Sequence, residues 1–291
     1  PDIVFHMAAQ SLVRESYAQP IETYETNVMG TVNVFEAARS CSSVQVVVNV
    51  TSDKCYQNNE MDYAYKEDDA MGGHDPYSSS KGCAELVTTA YRNSFFNESQ
   101  IRLASARAGN VIGGGDWAKD RLLPDCFKAL EKNKSILVRN PSAVRPWQHA
   151  LEPLSGYLWL ASLLWQDNGD QYTSGWNFGP DEESNLRVGE VVESVVKQWG
   201  EGSWDNPQDN GVQPHEANLL MLDNSKAKEK LHWMPTYGIE NALEATTDWY
   251  KGFMKDEDPE AHSINDINEY VNAAKKKQLK WAQTKKKVGA F

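Results

Sequence analysis

The chain has 291 residues, with 29 basic and 41 acidic side chains for a net charge of −12, and it is 40% apolar and 24% charged. Those proportions describe an ordinary globular protein and exclude a disordered, collagen-like or coiled-coil chain. Residues 275–291 hold seven lysines and no acid, so residues 1–274 carry 22 basic against 41 acidic groups, a net of −19. A body that acidic repels nucleic-acid phosphates, so no nucleic-acid partner is expected.

The longest strongly apolar stretch, Tyr157–Trp165, has nine residues, too few for a membrane span, and no membrane partner is expected. Cys41, Cys55, Cys83 and Cys126 form no CxxC pair, and the six histidines lack ligand spacing, so no metal is expected. A reduced, cytoplasmic compartment is the simplest reading.

In chain order, Pro1-Asp2-Ile3-Val4-Phe5-His6 opens at the edge of an apolar strand over Ile3–Met7. A buried strand needs neighbours for its backbone groups, so further sequence is expected upstream. A helix is predicted over Pro20–Arg39, with Tyr24, Val28, Val32, Phe35 and Ala38 on one face. A strand follows at Val44–Val50, a helix at Tyr77–Phe96 and a strand at Ile101–Ala106. That alternation is the βαβ pattern of a parallel sheet covered on both faces, an α/β fold.

Beyond Gly115 the pattern loosens. Helices are predicted at Arg121–Asn133, Glu152–Trp165, Val188–Trp199, Ser225–Leu231 and Ile239–Lys255, and short strands at Ile136–Val138, Trp176–Phe178 and Leu219–Leu222. A loop rich in Gly, Asp and Asn covers Gly200–Gly211, and the terminal lysines (Lys275–Lys277, Lys280, Lys285–Lys287) read as a solvated tail.

Ligands of such sheets sit at the carboxyl ends of the strands. The loop after Val50 reads Thr51-Ser52-Asp53-Lys54-Cys55-Tyr56, a hydroxyl, a carboxylate and an amine side by side; a plain turn with capping side chains is the alternative. Tyr77 and Lys81 lie four apart just after Pro76, on one helical face. About one Tyr-x-x-x-Lys match arises by chance here, so its position, opening the helix after the rim loop, matters more than the spacing. A tyrosine base at neutral pH needs its pKa lowered by roughly three units, and a neighbouring ammonium favours the phenolate.

The third strand runs into Arg107-Ala108-Gly109-Asn110, then Gly113-Gly114-Gly115-Asp116. Gly113-x-Gly115-x-x-Ala118 formally fits a dinucleotide fingerprint, but Pro124 interrupts the helix that should follow, so a loop touching a ligand is expected instead. Arg121, Arg139 and Arg145 could hold a pyrophosphate, with surface ion pairing as the alternative for each.

His6-Met7-Ala8-Ala9-Gln10, Tyr24-Glu25-Thr26-Asn27-Val28-Met29-Gly30-Thr31, Thr51-Ser52-Asp53-Lys54, Tyr77-Ser78-Ser79-Ser80-Lys81 and Arg107-Ala108-Gly109-Asn110-Val111 occur in that order. The series resembles the extended short-chain dehydrogenase/reductases that act on nucleotide sugars. Met71-Gly72-Gly73-His74-Asp75-Pro76-Tyr77, Gly113-Gly114-Gly115-Asp116-Trp117 and Val144-Arg145-Pro146-Trp147-Gln148-His149 are similar to the subgroup of 4,6-dehydratases acting on CDP-glucose.

The resemblance implies a Rossmann-like doubly wound parallel sheet over residues 1–115, a smaller, mostly helical substrate lobe over 116–273 with segments returning to the core, and a tail over 274–291. It implies NAD as cofactor, a nucleotide sugar as small-molecule partner, and a homodimer or homotetramer built on the helices at Pro20–Arg39 and Tyr77–Phe96. Tyr77 would take the sugar C4 hydroxyl proton, Lys81 would lower its pKa and hold the nicotinamide ribose, Ser52 would bond the C4 oxygen, and Asp53 would protonate the departing C6 hydroxyl. Lys54, where many relatives carry Glu, would be either the C5 base or a cation steadying the enolate.

The same resemblance implies cofactor contacts at Ala8, Ala9, Asn27, Thr51, Tyr77, Lys81, Arg107 and Asn110, and substrate contacts at Asn110, Arg121, Arg139, Arg145 and His149. The family's glycine-rich pyrophosphate loop is not among these residues, which implies roughly 80 further residues upstream. Another nucleotide-sugar dehydratase or epimerase, or a non-catalytic fragment, are the competing readings.

Overall fold

The structure, a computed structural model, describes residues 1–206 and 219–283. Four strands form the central sheet: β1 (Ile3–His6), β2 (Val46–Val50), β3 (Arg102–Arg107) and β4 (Gly175–Asn177). They lie side by side in that order and all run parallel, with Phe5 opposite Val48, Val50 opposite Ala106, and Arg107 opposite Asn177. Parallel strands require crossovers, and the chain supplies helices for them.

The helix predicted over Pro20–Arg39 is realised as α-helical turns at Pro20–Tyr24 and Gly30–Arg39 joined by a wider π-type turn at Glu25–Met29. A helix at Pro76–Tyr91, continued by a π turn at Arg92–Phe96, forms the second crossover. We number the helices α1 (Val13–Ala18), α2 (Pro20–Tyr24), α3 (Gly30–Arg39), α4 (Pro76–Tyr91), α5 (Leu122–Glu131), α6 (Leu151–Leu164), α7 (Val188–Trp199), α8 (Ile239–Met254) and α9 (Pro259–Lys276).

Strand pleating sends alternate side chains to opposite faces. Val47 and Leu103 pack with Phe35 and Phe96 from the α3–α4 layer, whereas Val46, Val48, Ala104 and Ala106 pack with Tyr157, Leu160 and Leu164 of α6. Each fully buried side chain of this size contributes roughly 1.5–3 kcal/mol. A third cluster, with Phe127, Val191, Val195, Leu243 and Tyr250, forms the core of a lobe built from α5, α7 and α8.

Several predicted elements shrink. The Ile136–Val138 strand is Ile136–Leu137, paired with Trp204–Asp205 inside the expected 200–211 loop, and the Leu219–Leu222 strand is Met221–Leu222. Residues 207–211 and Lys285–Lys287 lie outside the described residues. Two helices, α1 and α9, were not anticipated. Of α9 only Tyr270 and Ala274 are buried, while Ile264 and Ile267 are exposed, so its apolar stripe is too thin to give a clear period.

A buried carboxylate docks α9. Glu152, in the first turn of α6, accepts from the amides of Thr236 at 2.9 Å and Tyr237 at 2.6 Å and from the Tyr270 hydroxyl at 3.0 Å. Burial nevertheless pushes its pKa up to about 7, against those donors and the Lys277 charge. The folded-state value lies above the ordinary 4.5, so protonation favours the fold at low pH and that contribution is lost as pH rises toward about 7. Urea unfolding at pH 5 and pH 7.5 should show Glu152→Gln losing a pH slope on the order of 2–3 kcal/mol that the parent chain has. Equal slopes in the two proteins would remove Glu152 as its source.

Candidate active site

The strands deliver their carboxyl ends to one rim. After β2 the chain turns through a short 3₁₀ helix, Asp53–Cys55, capped by Ser52. The Ser52 hydroxyl accepts from the Lys54 amide at 3.2 Å and donates to Asp53 Oδ1 at 2.9 Å. Lys54 Nζ reaches the same carboxylate oxygen at 3.1 Å. Asp53 is fully buried, and its Oδ2 has no hydrogen-bond partner among the described residues.

That carboxylate lies against the turn that follows β3. A Cβ at Gly109 would fall 2.0 Å from Asp53 Oδ2, so only glycine permits the approach. Asn110 beside it is left-handed at φ 40°, and its buried Oδ1 is likewise without a partner. Buried polar atoms normally find partners, so two orphaned oxygens on neighbouring turns mark a place where a ligand supplies them.

α4 brings in the phenol. Asp75 caps it, accepting from the Ser78 amide at 2.9 Å and the Ser78 hydroxyl at 2.5 Å, and Pro76 occupies the first turn where no amide is needed. Tyr77 is thereby buried on the same cavity wall as the rim loop, close enough to Ser52 for that hydroxyl to act on its pKa. Burial pushes its pKa up to about 12; the Ser52 hydroxyl and the Arg121 charge pull it down, and Asp53 and Asp75 push it up.

Lys81 shares the helical face, yet its ammonium takes another direction. Nζ donates to the Val50 carbonyl at 3.5 Å, and its charge acts on His6 of β1. The cation that acts on Tyr77 in this arrangement is Arg121. Burial lowers Lys81 to about 8, with Cys55 and Glu85 opposing.

A cavity of about 1190 Å³ opens over these groups, between the rim and the α5–α7–α8 lobe. Its wall brings together Thr51, Ser52, Asp53, Lys54, Tyr77, Asn110, Arg121, Arg139 and Arg145. Arg121 is held by Asp116 at 3.1 Å and by the Ser11 hydroxyl at 2.9 Å, Arg139 by Asp120 at 2.8 Å, and Arg145 donates to the Val144 carbonyl at 2.8 Å. Arg14, Lys119 and Lys134 also line it, and sequence reasoning missed them. A signal existed: Lys119, Arg121, Lys134, Arg139 and Arg145 cluster within a short stretch of a strongly acidic chain.

Other expected contacts lie outside the cavity wall. The Arg107 guanidinium is buried and clasps Glu85 at 2.9 and 2.7 Å, so of the turn that begins at Arg107 the backbone is what a cofactor could meet. The Asn27 amide is engaged by the Gln10 backbone and the Ser80 hydroxyl. His149 is buried, accepts the Leu151 amide at Nδ1 and packs on Tyr237; burial lowers its pKa to about 4, so it stands neutral behind the wall. Ala8 and Ala9 follow β1 and do not line the cavity either. Gly114 serves packing, because a Cβ there would strike the Trp249 ring at 2.1 Å. No helix begins until Leu122, so this glycine run is not a dinucleotide turn.

Among the described residues, no helix is long and apolar enough to cross a membrane, and no group of three or more His, Cys, Asp or Glu is placed to hold a metal ion. The four cysteines are free thiols.

Comparison with known proteins points one way. The GDP-mannose 4,6-dehydratase family model matches residues 1–246. The CDP-glucose 4,6-dehydratase of Salmonella typhimurium is 51% identical over 279 residues, covering 94% of this chain and 77% of that protein. Among solved structures, the dTDP-glucose 4,6-dehydratase of Streptomyces venezuelae, bound to NAD, superposes with a TM-score of 0.74 at 23% identity over 89% of this chain and 76% of that one. The UDP-glucuronic acid 4-epimerase of Bacillus cereus, with UDP-glucuronic acid and NAD, gives 0.74 at 21% identity over 87% and 76%. These two structures share the fold.

The tight Gly109–Asp53 approach generates a test. Gly109→Ala should displace the Asp53 carboxylate by about an ångström and lower turnover on the order of 100-fold with the fold retained. Full turnover in a folded Gly109→Ala protein would show that the carboxylate position is not critical.

Proposed function

This chain belongs to the GDP-mannose 4,6-dehydratase family of nucleotide-sugar enzymes, and we propose that it converts CDP-glucose to CDP-4-keto-6-deoxyglucose with NAD as cofactor. The observation that carries the reading is the placement of Tyr77 with Ser52, Asp53 and Lys54 at the rim of one cavity whose wall bears arginines. In this reading the basic wall takes the nucleotide diphosphate and the rim takes the hexose.

The residues present fit the nicotinamide-ribose part of the cofactor. An ammonium has three donors, and the contact Lys81 makes at 3.5 Å with Val50 leaves donor capacity for ribose hydroxyls at the strand ends. Thr51, Tyr77 and Lys81 would hold that part. When bound, NAD supplies the hydride acceptor for C4 and the hydride donor for C6.

Tyr77 Oη takes the proton of the C4 hydroxyl, and the Ser52 hydroxyl steadies the same oxygen. Ligand donors and the Arg121 charge lower the phenol from its ligand-free value near 12. The resulting 4-keto group acidifies the proton at C5. Asp53 and Lys54 then act as a pair. The elimination needs one base and one acid, so in this proposal one proton passes from Lys54 to the carboxylate across their 3.1 Å contact.

The amine left behind takes the C5 proton while the carboxylic acid protonates the C6 hydroxyl. Water leaves, and the ammonium–carboxylate pair is restored; Lys54 then returns a proton to C5 as C6 takes its hydride, and the C4 proton held by Tyr77 passes through solvent to recharge Lys54. In this proposal Lys54 is the C5 base; a cation steadying the enolate is the alternative role. Exposed Ile21, Leu86 and Phe95 on the α2–α4 helical layer support a homodimer or homotetramer, and a cytoplasmic enzyme is part of the same proposal.

Assay of CDP-, GDP-, UDP- and dTDP-hexoses should give a 4-keto-6-deoxy product with CDP-glucose; inversion at C4 without loss of the C6 hydroxyl would replace this reading with an epimerase. Tyr77→Phe should abolish C4 oxidation, and parent-level turnover would remove Tyr77 from the mechanism. Asp53→Asn should still oxidise C4 yet lose water more slowly. Lys54→Arg keeps a cation but not a usable base, so it should stop C5 proton exchange with deuterated solvent. Normal exchange in that variant would make Lys54 an enolate stabiliser.

A further inference from the structure

Tyr77, Lys81 and Glu85 recur every fourth residue along α4, so they face the sheet in one row. The mechanism uses the first two. Glu85 is buried, and four side-chain donors converge on it: Thr51 Oγ1 at 2.5 Å and Arg107 Nε at 2.9 Å on Oε1, Ser105 Oγ at 2.7 Å and Arg107 Nη2 at 2.7 Å on Oε2. Those donors come from β3 and from the first residue of the rim loop. One carboxylate therefore ties α4 to two strand ends.

An Arg–Glu pair alone would be structural. Thr51 goes further: it is a cavity residue, and it leads directly into Ser52 and Asp53. Glu85 also stands one helical turn from Lys81. The charged and titratable groups around this row are Arg107 from β3, Arg92 from the π turn after α4, Cys55 from the rim loop and His6 from β1.

We infer that Glu85 is a positioning residue for the proposed dehydration: through Thr51 it fixes the loop that carries Ser52 and Asp53. The inference rests on the dehydratase reading for its purpose, but its geometry does not depend on it.

The test reads the loop by amide exchange at Asp53. Thr51→Val should raise it roughly tenfold, as losing one hydrogen bond would, and Glu85→Gln should raise it at least as much, while amides in the middle of β2 and β3 keep their parent rates. If Glu85→Gln does not fold, Thr51→Val alone decides. Unchanged exchange at Asp53, or an equal rise throughout the sheet, reduces Glu85 to a structural residue and overturns the proposal. These readouts need no turnover, so a chain inactive on CDP-glucose would overturn the functional reading and leave them standing.

Discussion

Asp75 accepts the Ser78 amide and hydroxyl, and the rest of the site is placed from that cap. It fixes where α4 starts, and one residue later the Tyr77 ring lies against Ser52. Four residues on, Lys81 reaches the end of β2, and a turn further Glu85 closes on Thr51 and Arg107. A helix is stiff, so one capped end sets three side chains against three parts of the sheet rim. A slip of one residue would rotate all of them by about 100° away from their partners.

Burial decides how each charged group is used. Glu85 and Arg107 are both nearly inaccessible and hold each other through two parallel hydrogen bonds, an arrangement whose disruption leaves an uncompensated charge. The arginines of the cavity wall are paired too, but at the surface, where Arg121–Asp116 and Arg139–Asp120 are part-exposed and contribute little to stability. Such pairs can be exchanged for a diphosphate at small cost. An acidic protein can thus present a locally basic wall to an anionic ligand.

The rim also shows what packing asks of glycine. Gly109 lets the backbone meet the Asp53 carboxylate, and Gly114 lets the next turn meet the Trp249 ring. The two requirements look alike along the chain and serve different ends, one at the candidate site and one in the lobe's core.

The order of strands and helices, the carboxyl-end rim, and the grouping of Ser52, Asp53, Lys54 and Tyr77 were legible in the chain itself, because pleat and helix periods repeat over short distances. So was the candidacy of Arg121, Arg139 and Arg145, through residue type alone. Tertiary structure decided the rest. Arg107 looks available until Glu85, 22 positions away, is seen to clasp it. Asn27 bonds to Gln10, His149 packs on Tyr237, and Lys81 reaches the Val50 carbonyl. α9 stays hidden because its docking depends on Glu152, 118 positions before Tyr270. Side-chain chemistry and local period are written along the chain, whereas a polar group's partner, and hence its freedom to meet a ligand, depends on contacts between distant segments that exist only once the layers have packed.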